Sequence, residues 1–142
     1  MEKERQRALQ ENYPSPIQDN KQAVDQAFDA ALVYCAENAT QIAAVVATHN
    51  EFSCLHAVEL MAKCQIDSSN NNFHFCQLFG MGDHITFTLA KEGYSVSKYI
   101  PYGPVGKVIP YLLRRAQENT SVKGQGSREY DLICKELKRR GL

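Results

Sequence analysis

An α/β fold, with three strand–helix units around a parallel sheet, is what this 142-residue sequence predicts. Three observations carry that reading. Stretches of helical period alternate with short apolar runs, the pattern of parallel sheets joined by helical crossovers. The run Ile42-Ala43-Ala44-Val45-Val46-Ala47 is continuously apolar, as a strand covered on both faces would be. Each strand candidate ends in a polar motif: Thr48-His49-Asn50, Gln77 through Asp83, and Lys98 through Gly103. Three such coincidences argue for one shared site.

The elements follow in order. Residues 1–20 are polar and carry Pro14 and Pro16, which reads as a loop. Asp19 or Asn20 can cap a helix running to about Asn38, whose apolar stripe is Ala23, Val24, Ala27, Phe28, Ala31, Leu32 and Cys35. After the strand at 42–47, Ser53 can cap a helix over 55–64, on which Leu55, Val58 and Met61 stand at packing positions. The polar loop 67–72 leads into a strand at 73–78. Asp83 starts a short helix that Gly93 ends, and a third strand covers 95–99. Gly103 lends the backbone freedom, and Pro104 opens a helix over 104–119, where its missing N–H costs nothing. The βα units therefore occupy 21–119. Beyond a Gly124-Gln125-Gly126 linker, Ser127 can cap a last helix over 127–140, with Tyr130, Ile133, Cys134 and Leu137 on one face.

Composition narrows the class. Formal charge balances at zero, and no apolar run approaches membrane-spanning length. The start Met1-Glu2-Lys3-Glu4-Arg5 is too charged for a secretory signal, and its acids argue against a transit peptide. The five cysteines (Cys35, Cys54, Cys64, Cys76, Cys134) form no CxxC pair. Cys54 and Cys64 with His49 and His56 match no common zinc spacing, so no metal site is expected. From Lys98 onward there are ten Lys/Arg against four Asp/Glu, so the last third is basic. No aromatic stacking platform interleaves those cations, which argues against nucleic acid; peripheral contact with an anionic membrane fits them better.

Tyr111, Arg114, Arg115 and Glu118 lie at helical steps of three, four and seven, on one side of the 104–119 helix. Two guanidinium groups make a planar multi-donor clamp for a carboxylate. The bland alternative is a solvated face with Arg114 paired to Glu118, and the residues alone leave both open.

The run Lys98-Tyr99-Ile100-Pro101-Tyr102-Gly103-Pro104, followed by Arg114-Arg115-Ala116-Gln117-Glu118-Asn119, resembles the C-terminal end of proline dehydrogenases. Thr48-His49-Asn50 and Gln77-Leu78-Phe79-Gly80-Met81-Gly82-Asp83 match the same family in the same order, so the resemblance covers the chain to about Arg140. It implies part of a (β/α)8 TIM-type barrel: the last three βα units plus a C-terminal helix. It also implies FAD-dependent oxidation of L-proline to 1-pyrroline-5-carboxylate, with electrons passed to a quinone, on the matrix side of the mitochondrial inner membrane. In the family's pattern Arg114 and Arg115 grip the substrate carboxylate so that C5–H points at the flavin N5, and Tyr99 packs on the ring. Leu78 is an apolar wall and Tyr111 a second aromatic. Thr48, His49 and Asn50 form the flavin-contacting strand end, and Gln77 and Glu118 are flavin or network residues. His56, His74 and His84 have no assigned part. Because the flavin supplies the electron sink, no general acid or base is expected in this chain. Relatives acting on hydroxyproline carry a smaller polar residue where this chain has Tyr99, so proline is favoured.

Two departures stand out. Phe79 replaces the family's second leucine, adding volume beside the site. A strand bearing a flavin-contacting arginine and a tyrosine, with a lysine and an acid from earlier strands, has no counterpart here. Three strands cannot close a barrel. The expectation is a piece of a longer enzyme, inactive by itself. The alternatives are a short protein that self-associates through its open sheet edges, and a non-catalytic half-barrel that acts as an interaction module.

Overall fold

The computed structural model describes the backbone of residues 1–121 and 125–141, with side chains at all of these except 116–121, 125–129 and 136. The order is α1 (Glu2–Glu11), α2 (Lys21–Glu37), β1 (Ala44–Ala47), α3 (Glu51–Lys63), β2 (Phe73–Leu78), α4 (Asp83–Lys91), β3 (Val96–Tyr99), α5 (Val105–Ser121) and α6 (Gln125–Arg140). No helix among the described residues is long and apolar enough to cross a membrane.

The strands form one parallel sheet in the order β1-β2-β3. Ala44 registers with Phe73 and Ala47 with Cys76, then Phe75 with Val96 and Leu78 with Tyr99. Sequential neighbours joined by right-handed crossovers put their helices on the same side of the sheet. That is the arrangement of a barrel wall, and equally of one half of a doubly wound sheet, where the side changes only at the point of strand-order reversal. The expected α/β arc of three βα units is what forms.

One face of the sheet is dry. Val46, Phe73 and Phe75 meet Leu32 and Ala36 of α2, Ala57, Leu60 and Met61 of α3, and Ile85 and Leu89 of α4. Phe75 is fully buried, with Tyr94 edge-on at 5.8 Å between ring centroids. The opposite face is open: Val45 is 54% exposed although the run around it is wholly apolar. The both-faces-covered strand expected at 42–47 is therefore covered on one face in this chain, and the ladder itself is shorter, Ala44–Ala47.

Local chemistry corrects four further expectations. Residues 1–20 are not a loop throughout: Glu2–Glu11 is helical, because its residues favour helices and both prolines lie beyond it. Asn12 ends that helix at φ 54°, the left-handed conformation asparagine tolerates. Asn50, not Ser53, caps α3, its side chain accepting from Phe52 N–H at 3.1 Å, so the helix starts at Glu51 and Ser53 is buried within its first turn. Leu55 is 58% exposed while Met61 is buried, so the α3 stripe turns toward Ala57, Leu60 and Met61. Helix α6 begins at Gln125, which places Ser127 inside it and not at its cap.

The cap at Asn20 is as expected, accepting from Ala23 N–H at 2.9 Å. Helix α5 opens with the Pro104 carbonyl accepting from Lys107 and Val108 N–H at 2.8 and 3.0 Å. His84 on α4 meets Glu51 on α3 at 2.9 Å, tying two helix starts together at the strand ends.

Cys54 is buried in the same core. Burial, with the Glu51 carboxylate second, pushes its thiol from 9.0 up to about 11. The neutral thiol is thus favoured by folding. Its contribution is fully present below the unfolded value and is lost as pH rises through the window from 9.0 to about 11. Cys54→Ala is expected to flatten the fall in denaturation midpoint across that window relative to the parent chain. Parallel pH profiles for the two proteins would refute the burial argument.

Candidate functional site

The strand ends place the functional side chains. Side chains alternate across the sheet, so register decides which ones meet. Ala47, Cys76, Leu78 and Tyr99 share the open face, while Phe75 and Gln77 point to the helices. A cavity of about 340 Å³ opens on that free face at the carboxyl ends of the strands, where it includes His49 beyond β1 and Met81 beyond β2.

Helix α5 supplies the remaining wall, with Tyr111 and Arg115. Tyr111 lies edge-on to Tyr99, centroids 6.1 Å apart at 63°, and the Arg115 guanidinium stands 5.4 Å from the Tyr111 centroid. The two rings and the cation form a continuous ladder, each contact contributing roughly 0.5–1 kcal/mol at exposed sites. Tyr99 is 51% exposed, so one side of its ring stays available to a ligand. Such a wall suits a small molecule with an apolar ring and a carboxylate.

Six of the expected site residues therefore converge on one cavity: His49, Gln77, Leu78, Tyr99, Tyr111 and Arg115. Arg114 does not line it and is exposed. Successive helical residues are about 100° apart, so adjacent arginines cannot face one cavity equally. Thr48 and Asn50 work locally instead: the Thr48 hydroxyl accepts from Asn50 N–H at 3.1 Å, and Asn50 caps α3. Glu118 has its side chain outside the described residues. Phe79, expected to crowd the site, is 65% exposed and is not among the cavity's walls.

Gln77 has a divided position. Its residue is 1% exposed and its amide is engaged by Thr86 and by the Thr48 carbonyl, while its flank reaches the cavity. Ala47, Cys76 and Met81 were not anticipated. Cys76 was legible, standing two residues before Leu78 on the same face; Ala47 needed the register that pairs it with Cys76.

The loop from Phe79 to Gly82 is held from beneath. Lys98 Nζ donates to the Met81 carbonyl at 2.6 Å and pairs with Asp83 at 2.7 Å, so this strand-end lysine serves the loop rather than the cavity. Gly82 sits at φ +61°, and a Cβ there would stand 3.0 Å from His49 Nδ1. Gly82→Ala is expected to cost about 1–2 kcal/mol for the left-handed backbone alone and to displace the His49 ring. An unchanged denaturation midpoint with unchanged His49 NMR signals would contradict the close approach.

A barrel arc with a small, arginine-bearing cavity at the carboxyl ends of its strands belongs to a ligand-binding α/β barrel. Comparison with known proteins gives the family: residues 1–128 match the one described as proline dehydrogenase, and the chain belongs to it. It is 44% identical over 144 residues to hydroxyproline dehydrogenase of Xenopus laevis, covering 99% of this chain and 31% of that protein. It is 43% identical over 145 residues to mitochondrial proline dehydrogenase 1 of Caenorhabditis elegans, covering 99% of this chain and 24% of that one. Among solved structures it resembles proline utilization A (PutA) from Bdellovibrio bacteriovorus inactivated by N-propargylglycine, at TM-score 0.74 and 30% identity. That match covers 86% of this chain and 12% of that one. The chain thus spans under a third of the length of these relatives.

Proposed function

We propose that this chain forms the substrate-facing part of a proline dehydrogenase: oxidation of L-proline to 1-pyrroline-5-carboxylate with FAD, electrons leaving to a quinone. The observation that carries the reading is the Arg115–Tyr111–Tyr99 ladder beside the polar strand end at His49, all on one cavity. Arg115 supplies the charge for a carboxylate, with Arg114 on the next helical position as the second cation. The free side of Tyr99 covers an apolar ring, and Leu78 walls it.

The residues present fit a flavin in kind. His49 and the flank of Gln77 offer polar edges, while Ala47, Cys76 and Leu78 offer a flat apolar floor for a ring system. Bound FAD would supply the two-electron sink for the hydride leaving the substrate. This chain's residues bind and orient the substrate and keep water from its ring; none is asked to move a proton. Thr48, Asn50 and Glu118 join the flavin set as neighbours by resemblance. The mitochondrial names of several relatives support the same compartment for this chain, and the resemblance to the family supports the matrix side of the inner membrane.

The substrate has a second reading. The Xenopus relative acts, by its name, on hydroxyproline, and its identity to this chain matches that of the proline enzymes. Tyr99 favours proline, because a full phenol ring leaves less room for a ring hydroxyl.

Among the described residues the sheet has three strands, and β1 and β3 have no outer neighbour there. The chain alone is accordingly proposed to bind flavin weakly and to be inactive, with self-association through those edges as its alternative fate. The test is a graft of residues 1–142 into a full-length relative in place of the matching segment. Flavin bleaching by proline is expected. A graft that retains flavin and is bleached by hydroxyproline selects the second reading; one that retains flavin and is bleached by neither overturns both.

A further inference from the structure

We propose that Thr86, on helix α4, is a positioning residue: through the Gln77 amide its hydroxyl sets the strand end that carries His49 into the cavity. The β1–β2 ladder ends at the Ala47–Cys76 pair. The next carbonyl beyond β1, that of Thr48, lies outside the ladder. The Gln77 Nε2 donates to it at 3.3 Å, in place of a strand partner. On the other strand, Leu78 N–H donates to His49 Nε2 at 3.4 Å. Two side chains thus continue the pairing where the backbones diverge.

The Thr86 hydroxyl holds the Gln77 amide in the direction that the Thr48 carbonyl requires. A carbonyl only accepts, so the amide must turn its NH2 to Thr48 and its oxygen away. That oxygen accepts from the Thr86 hydroxyl at 2.9 Å. The same hydroxyl has a competing acceptor in the Gly82 carbonyl one turn back, at 3.2 Å. Gln77 and Thr86 are both buried, so neither amide nor hydroxyl can trade these partners for water. Gly82 closes the node, leaving no room for a side chain beside His49 and Gln77. The Leu78 bond also fixes the ring chemistry: neutral His49 must carry its proton on Nδ1, leaving Nε2 to accept. Helix α4, which contributes nothing to the cavity wall, thereby decides how the wall's histidine is turned.

The inference builds on the site proposed above, but its test uses neither flavin nor proline, so a failed graft would leave it standing. In the 142-residue chain, Thr86→Val keeps the shape and removes the hydroxyl. Leu78 N–H is expected to exchange with solvent about 5- to 10-fold faster, as for loss of one hydrogen bond of ordinary net strength. The His49 ring nitrogens should move from the pure Nδ1–H signature toward a tautomer mixture, and Thr86→Ser should restore both readings. A Thr86→Val chain that loses only thermal stability, with the His49 and Leu78 signals unmoved, overturns the proposal. Should that variant not fold, the parent chain decides: the Gln77 side-chain NH2 must exchange more slowly than those of exposed Gln22 and Gln26, and equal rates overturn it.

Discussion

Replacing Arg115 by alanine is expected to remove most of the site's affinity for a carboxylate ligand. A charge-assisted hydrogen bond contributes roughly 1.5–3 kcal/mol, and stripping the cation leaves the ligand's carboxylate facing the aromatic walls with only the exposed Arg114 as a cation. The expected loss is roughly 10- to 150-fold in proline affinity, read in the grafted full-length enzyme by flavin bleaching against substrate concentration. Arg115→Lys should fall between, since it keeps charge but loses the planar fork and its stacking on Tyr111. Arg114→Ala should cost less, because that side chain is exposed and does not line the cavity. If Arg114→Ala proved the more damaging, the assignment of Arg115 as the principal cation would be wrong.

The second large effect concerns stability. Phe75→Ala empties the centre of the middle strand, where the ring is fully buried and meets Tyr94 edge-on. Deleting a core phenylalanine costs about 3–5 kcal/mol, while domains of this size have total stabilities of about 5–15 kcal/mol. This chain has one dry sheet face, so its margin should lie near the lower end. The variant is expected to be largely unfolded or to melt without a cooperative transition, visible in circular dichroism against denaturant. Phe75→Leu should keep the transition with a smaller shift. Wild-type cooperativity in Phe75→Ala would mean that the core is centred elsewhere.

Much of the architecture was readable from residues alone, and particular positions say why. The alternation of helical period with short apolar runs located all three strands and five of the helices, since burial on one side leaves a periodic trace. Glu2–Glu11 was missed because Pro14 and Pro16 were allowed to speak for residues upstream of them, where a proline has no steric reach. At α3, two good cap residues stood three positions apart. Asn50 took the role, its side chain accepting from Phe52 N–H, and Ser53 is buried inside the first turn. The apolar character of Val45, read as burial on both sides, is the mark of a barrel interior; the three-stranded sheet leaves it open.

By itself the sequence determined the three strands and the helices from α2 onward, and that polar motifs gather at strand ends. Those depend on local propensity and periodicity, which any short window contains. Tertiary structure alone decided between neighbours: Leu78 toward the cavity while Gln77's amide turns to the helices, Arg115 to the cavity and Arg114 to solvent, and Thr86 enlisted from a helix outside the wall. The reason is geometric. A two-residue period divides a strand into two faces without saying which one the helices cover, and only strand register and crossover direction break that symmetry.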